Sequence, residues 1–181
     1  MLIHAESSGV LLIDMQEKLL PLVIDSIQIE AHCHWLLQIA QYLNVPIVTS
    51  EQYPKGLGHT VKGLAEFSKP EHCLDKVCFS ALGEPKIAHE LRELKRDQWI
   101  LIGIETHVCV MQTAFELLAQ RKKVYVVDDC TGSRHARDKQ LAIDRMKHHG
   151  VEIVTREMVV FEWLAMAGTP QFKFINETFI K

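Results

Sequence analysis

The chain has 181 residues, 48% of them hydrophobic, and a formal net charge of −3. That length suits one domain spanning residues 1–181, and the apolar content suffices for a core without staples. Lys, Arg, Asp and Glu are interleaved, so neither a nucleic-acid footprint nor a polybasic membrane surface is written into it.

Five cysteines, odd in number and with no CxxC pair, point to reduced thiols and a cytoplasmic setting. The first residues, Met1 to Ser8, show no basic stretch followed by an apolar one, so a secretory signal is not expected. No apolar run approaches the ~18 residues of a membrane span.

Gly9–Asp14 is an apolar run ending in an acid and reads as the first strand. Met15 to Val23, with Pro21 inside it, reads as a loop with a helical turn. Ile27–Leu43 carries apolar residues at helical spacing and stops at Asn44. Val45–Ser50 is the second strand, its Pro tolerable near the start. Glu51–Gly58 is a loop and His59–Phe67 a short helix. Leu74–Ser80 is the third strand, and Glu84–Arg96 an amphipathic helix with Ile87, Leu91 and Leu94 inward.

Trp99–Ile102 is the fourth strand, broken by Gly103. Thr106, a good N-cap residue, then opens a helix that runs to about Gln120. Val124–Asp128 is the fifth strand, His135–His149 a helix stopped by Gly150, Val151–Thr155 the sixth strand and Glu157–Ala167 the last helix. The core thus covers residues 9–165. In the tail, 166–181, Phe172, Phe174, Ile175 and Phe179 predict a docking segment, with a neighbouring subunit as its surface and a homo-oligomer as the consequence.

Strands alternating with helices on this rhythm predict an α/β fold of three layers, a Rossmann-like six-stranded parallel sheet with helices on both faces. With strand order 3-2-1-4-5-6, ligands bind outside the carboxyl ends of the strands, where Asp14 and Cys109 fall. No glycine fingerprint follows the first strand, and Gly56-Leu-Gly58 signals no more than a turn, so no nucleotide cofactor is expected.

Cys109, in the first turn of its predicted helix, gains from free N–H groups and the positive end of the dipole, which favour a thiolate nucleophile. Against that stands the frequency with which a Cys between two valines is simply core. Lys76 has two readings: a solvated residue on an edge strand, or a partly buried ammonium paired with Asp14. His32-Cys33-His34 lies within a helix, where neighbours two apart diverge, and no metal site is expected.

Ile13-Asp-Met-Gln16, Lys76 with Phe79-Ser-Ala81, and Gly103-Ile-Glu-Thr-His-Val-Cys-Val110 together resemble the isochorismatase-like hydrolases, which include nicotinamidases and N-carbamoylsarcosine amidase. The resemblance covers about residues 9–165. The Glu-Thr-His-Val-Cys-Val form and Phe161-Glu-Trp163 look most like the general hydrolase branch. It implies a catalytic Asp14, Lys76, Cys109 triad, with Cys109 the nucleophile, Asp14 the general base and acid, and Lys76 holding Asp14. It also implies a cis peptide at Ile104–Glu105 and an oxyanion hole from the N–H groups of Glu105 and Cys109. The substrate pocket would then draw on Gln16, Gln52, Tyr53, Leu57, Phe79 and His107. The Asp-x-His pair and further histidines by which nicotinamidases hold a metal after the second strand are replaced here by Ser50-Glu-Gln-Tyr-Pro-Lys55, with only His59 nearby. The resemblance therefore implies a small-molecule substrate cleaved at an amide or related C–N bond, with no metal or other cofactor.

Overall fold

The computed structural model describes residues 1–181. In chain order its elements are β1 (Ser8–Ile13), α1 (Ser26–Tyr42), β2 (Ile47–Gln52), the single turns α2 (Pro54–Leu57) and α3 (Lys62–Ala65), β3 (Cys73–Lys76), α4 (Pro85–Glu93), β4 (Gln98–Ile104), α5 (Met111–Ala119), β5 (Lys123–Gly132), α6 (Ala136–His148), β6 (Glu152–Val154), α7 (Arg156–Leu164) and α8 (Pro170–Ile175). The six strands form one sheet, all parallel as the alternation of elements predicts, in the expected order β3-β2-β1-β4-β5-β6.

Every residue of β1 and β4 is buried, which is why both read as unbroken apolar runs. Successive side chains leave a strand on opposite faces. Val10 and Leu12 enter a core closed by α1, α7 and α8, while Leu11 and Ile13 enter a second core closed by α4, α5 and α6. The parallel pairing sets Ile13 beside both Ser50 and Gly103, and Gln52 beside Lys76, so the carboxyl ends of four strands come level.

Several elements differ in extent from the sequence reading, β3, β5 and the tail most of all. β3 stops at Lys76, four residues before the predicted end, because the Lys76 ammonium donates back to the carbonyls of Cys78 (3.3 Å) and Phe79 (3.0 Å) and curls the chain out of the sheet. β5 runs on to Gly132, because after a register shift it resumes pairing with β4 at Gly103 and Ile104. The tail docks on its own chain: Phe172, Phe179 and Ile180 pack against the α1 core, Trp35 Nε1 donates to the Phe179 carbonyl (2.8 Å), and Phe174 stacks on Tyr42. Its apolar residues are met by α1, so they are no evidence for a neighbouring subunit. No helix is long and apolar enough to cross a membrane.

Candidate active site

Asp14 is the first residue beyond β1, with a left-handed backbone (φ 52) and no exposed surface. Its carboxylate accepts two short hydrogen bonds, from Ser50 Oγ to Oδ1 and from Lys76 Nζ to Oδ2, both 2.7 Å. Lys76 combines features of both its sequence readings. It stands on an edge strand, yet its side chain is 0% exposed, because the ammonium turns under the strand ends and finds Asp14, Gln52 Oε1 (2.7 Å) and two carbonyls there. A buried ammonium survives only with such a set of partners.

Cys109 lies in a wide turn, Thr106–Val110, with i→i+5 bonding, that precedes α5. The N–H groups of Val108 and Val110 both donate to the Glu105 carbonyl, at 3.0 and 3.2 Å. The expectation that Thr106 caps a regular helix is therefore corrected: its hydroxyl is buried without a partner, and α5 begins only at Met111. A wide turn of this kind is rare in general and frequent at functional sites. The Ile104–Glu105 peptide is cis, as the family resemblance implies.

The electrostatics correct a second expectation. Burial pushes the Cys109 thiol up to about 12, the Asp14 charge adds to the rise, and the pull of Lys76 in the other direction is outweighed. At rest Cys109 is a protonated thiol, because desolvation of a thiolate costs more than the local positive charge returns. Burial also raises the Asp14 carboxyl, against the opposing pull of Lys76, Cys109 and Ser50. A base with a raised pKa, beside a thiol on which its charge acts, is arranged to receive that thiol's proton.

The six pocket residues named from sequence divide in the structure. Gln16 is fully buried and spends its amide on the main chain: Nε2 donates to the carbonyls of Gln52 (2.9 Å) and Gly58 (2.6 Å), and Oε1 accepts from the Gln52 N–H (2.6 Å). Gln52 spends its own on Lys76 and on the Val77 carbonyl (2.9 Å). Gln16 has no amide hydrogen left for a ligand, and the two glutamines tie the strand ends around Lys76 together. Tyr53 and Phe79 are more than half exposed on either side of Lys76, and Leu57 is partly exposed on α2. His107 turns toward β5 and α6, its Nδ1 hydrogen-bonded to Ser133 Oγ (2.9 Å) and its Nε2 4.0 Å from Asp138.

Ser50 was missed from sequence, although a hydroxyl at the carboxyl end of an apolar strand was the available signal. A cavity of about 380 Å³, lined by Ile24, Asp25, His32, Asp128 and Lys139 among others, lies between α1 and the end of β5. It belongs to the α1 side of the sheet, whereas Cys109 packs into the opposite core. Cys130 sits in the α1 core with its carbonyl 3.4 Å from Cys33 Sγ, so the sheet separates it from Cys109 and keeps it from acting as a resolving thiol. His32, Cys33 and His34 diverge as helical spacing requires: His32 meets the Asp129 carbonyl, Cys33 enters the core and His34 meets the Phe67 ring.

Comparison with known proteins places this geometry in a family. Residues 8–158 match the model of the isochorismatase domain. Isochorismatase domain-containing protein 2A of Mus musculus is 38% identical over 174 residues, covering 95% of this chain and 82% of its own. The structure of MAR1 ribonuclease from Caenorhabditis elegans superposes with a TM-score of 0.92 at 32% identity, covering 100% of this chain and 93% of that one. The YcaC gene product of Escherichia coli, described as an octameric hydrolase of unknown specificity, shares the fold with a TM-score of 0.87 at 24% identity, covering 91% of this chain and 83% of that one. With its sheet order, its family match and its mouse relative in agreement, this chain belongs to the isochorismatase-like hydrolase family.

Proposed function

We propose that this chain is a cysteine hydrolase of small amides or related C–N bonds, acting through Asp14, Lys76 and Cys109. The observation that carries the reading is the wholly buried Asp14–Lys76 pair, 2.7 Å apart, with the Cys109 thiol inside its field. Burying two charges is costly, and a sheet edge has no structural need of them. A site that must hold a proton acceptor at fixed distance from a thiol does.

In this mechanism Asp14 takes the thiol proton as sulfur attacks the amide carbonyl, so that a free thiolate never has to persist in the dry site. Main-chain N–H groups of Glu105 and Cys109 receive the oxyanion. Asp14 then returns the proton to the departing amine, leaving a thioester. Water, deprotonated by the same carboxylate, releases the acid and restores the thiol. Lys76 keeps Asp14 in place, and Gln52 keeps Lys76 in place. Tyr53, Leu57 and Phe79 offer an apolar entrance, which suits substrates with a hydrophobic acyl or amine portion.

The reading extends to a homo-oligomer in a reducing, cytoplasm-like compartment, supported by five unpaired cysteines and by exposed Ile27, Val77 and Met166. A second reading, an idle family member serving as an oligomeric binding protein, is favoured by the protonated state of Cys109. The two separate in one experiment. The protein is incubated with a panel of primary amides and N-carbamoyl compounds, ammonia is measured, and intact mass is followed for an acylated Cys109. An RNA oligonucleotide joins the panel because the Caenorhabditis elegans neighbour is named a ribonuclease. Ammonia release abolished by Cys109→Ala supports the hydrolase; turnover that survives Cys109→Ala sinks it.

A further inference from the structure

β5 carries no member of the triad, yet its far end reaches the cysteine turn. β6 pairs with β5 only as far as Val127, yet β5 continues, shifts register and pairs again with the last residues of β4, setting Thr131 beside Gly103 and Gly132 beside Ile104. That pairing delivers the next two residues onto the cysteine turn. Ser133 Oγ meets His107 Nδ1 at 2.9 Å, and Arg134 Nε donates to Glu105 Oε2 at 2.9 Å. Glu105 is the residue between β4 and the Cys109 turn, and its carbonyl already anchors Val108 and Val110. Its side chain is only 15% exposed, while Arg134 is half exposed and spans from solvent to it.

We propose that Arg134 is a positioning residue of the active site: by fixing the Glu105 side chain it holds the Glu105 main-chain N–H toward the oxyanion that forms when Cys109 attacks a carbonyl. The inference rests on the cysteine-hydrolase reading and adds to it a residue outside the triad. An exposed ion pair adds little to stability in general, so its weight here lies in geometry. Donors to an oxyanion act only when held within a few tenths of an ångström of the right place, and displacement through a remote residue is costly to rate.

Two reagents separate positioning from mere support. Iodoacetamide alkylates a thiol by displacement at a saturated carbon, so it reports the nucleophile without an oxyanion. p-Nitrophenyl acetate transfers an acetyl group: the Cys109 sulfur–carbon bond forms, the thiol proton passes to Asp14, and the carbon–oxygen bond to the aryl group breaks to release p-nitrophenolate. Both rates are measured at Cys109 on the full chain, by intact mass and absorbance.

The expected result is that Arg134→Ala lowers the acetylation rate about tenfold, a part of what losing a whole oxyanion donor costs, while alkylation stays within about twofold of wild type. Glu105→Ala gives the same pattern, and the double variant is no slower than either single one, because both changes remove one interaction. Acetylation of Arg134→Ala at the wild-type rate overturns the proposal. So does a parallel fall in both reactions, which would mean a loosened turn. If wild-type Cys109 is alkylated but never acetylated, the hydrolase reading itself fails and takes this inference with it.

Discussion

Replacing Lys76 by Met tests the buried pair most directly. Met fills most of the volume of the lysine stem but leaves Asp14 with a single side-chain donor among its firm contacts, Ser50. Removing one partner of a buried pair costs about 3–5 kcal/mol, because the other charge stays desolvated. At about 2–4 °C per kcal/mol for a chain of this size, the melting temperature falls by roughly 6–20 °C. The loss has a definite pH sign. Asp14 already lies above 3.8 through burial, and Lys76 supplies the two largest opposing pulls, so in Lys76→Met the carboxyl climbs further. An acid raised in the folded state binds its proton more tightly there than in the unfolded chain. Its contribution is therefore fully present below pH 3.8 and lost as pH rises through the folded value. Lys76→Met is accordingly closest to wild type in acid and weakest above neutrality. Asp14→Asn on top of Lys76→Met removes the stranded charge and recovers most of the stability at pH 8. Urea unfolding at pH 5 and pH 8 on the three proteins reads all of this. Equal stability of Lys76→Met and wild type at pH 8, with no gain in the double variant, would refute the burial argument.

Three further outcomes are expected. Alkylation of Cys109, followed peptide by peptide by mass spectrometry, has its midpoint well above the ~8.5 of a free thiol; Asp14→Asn lowers it and Lys76→Ala slows the reaction further, and a wild-type midpoint below 8.5 contradicts the electrostatics. Gln16→Leu strands the Gln52 N–H and the Gly58 carbonyl and costs about 1–3 kcal/mol in urea unfolding; a variant with unchanged stability but weaker substrate binding would return Gln16 to the pocket. Gly103→Ala is the severest single change, since Gly103 has φ 113 and a Cβ there would collide with the Ile13 backbone where β4 runs against β1. A loss above about 4 kcal/mol, seen as failure to give soluble protein, is expected, and a normally folded Gly103→Ala protein would show that the two strands can part.

Much of the fold was written in local pattern. Trp99–Ile102 and Gly9–Ile13 are unbroken apolar runs because they occupy the middle of a sheet covered on both sides, and the helices between strands carry the 3.6-residue spacing that one buried face requires. The alternation of strand and helix then restricts the topology to a few right-handed arrangements, of which the sheet takes the order 3-2-1-4-5-6. The motifs around Asp14, Lys76 and Cys109 were likewise visible as residues out of keeping with their neighbours: an acid ending an apolar strand, a lysine within one, a cysteine after a glycine break.

What each of those residues does was decided by contacts across the chain. Lys76 could be read as solvated or buried until the sheet brought it to Asp14, 62 positions away. Gln16 and Gln52 look like free polar groups in sequence and are consumed by backbone and ammonium only because two strand ends meet. Cys109 reads as an activated helix-start thiol, yet burial of the assembled site turns its ionisation the other way. The tail reads as adhesive, and α1 of the same chain satisfies it. Periodicity depends on neighbours a few residues apart and is printed in the sequence. Desolvation and pairing depend on distances of a few ångströms between distant segments, and those exist only once the sheet has closed.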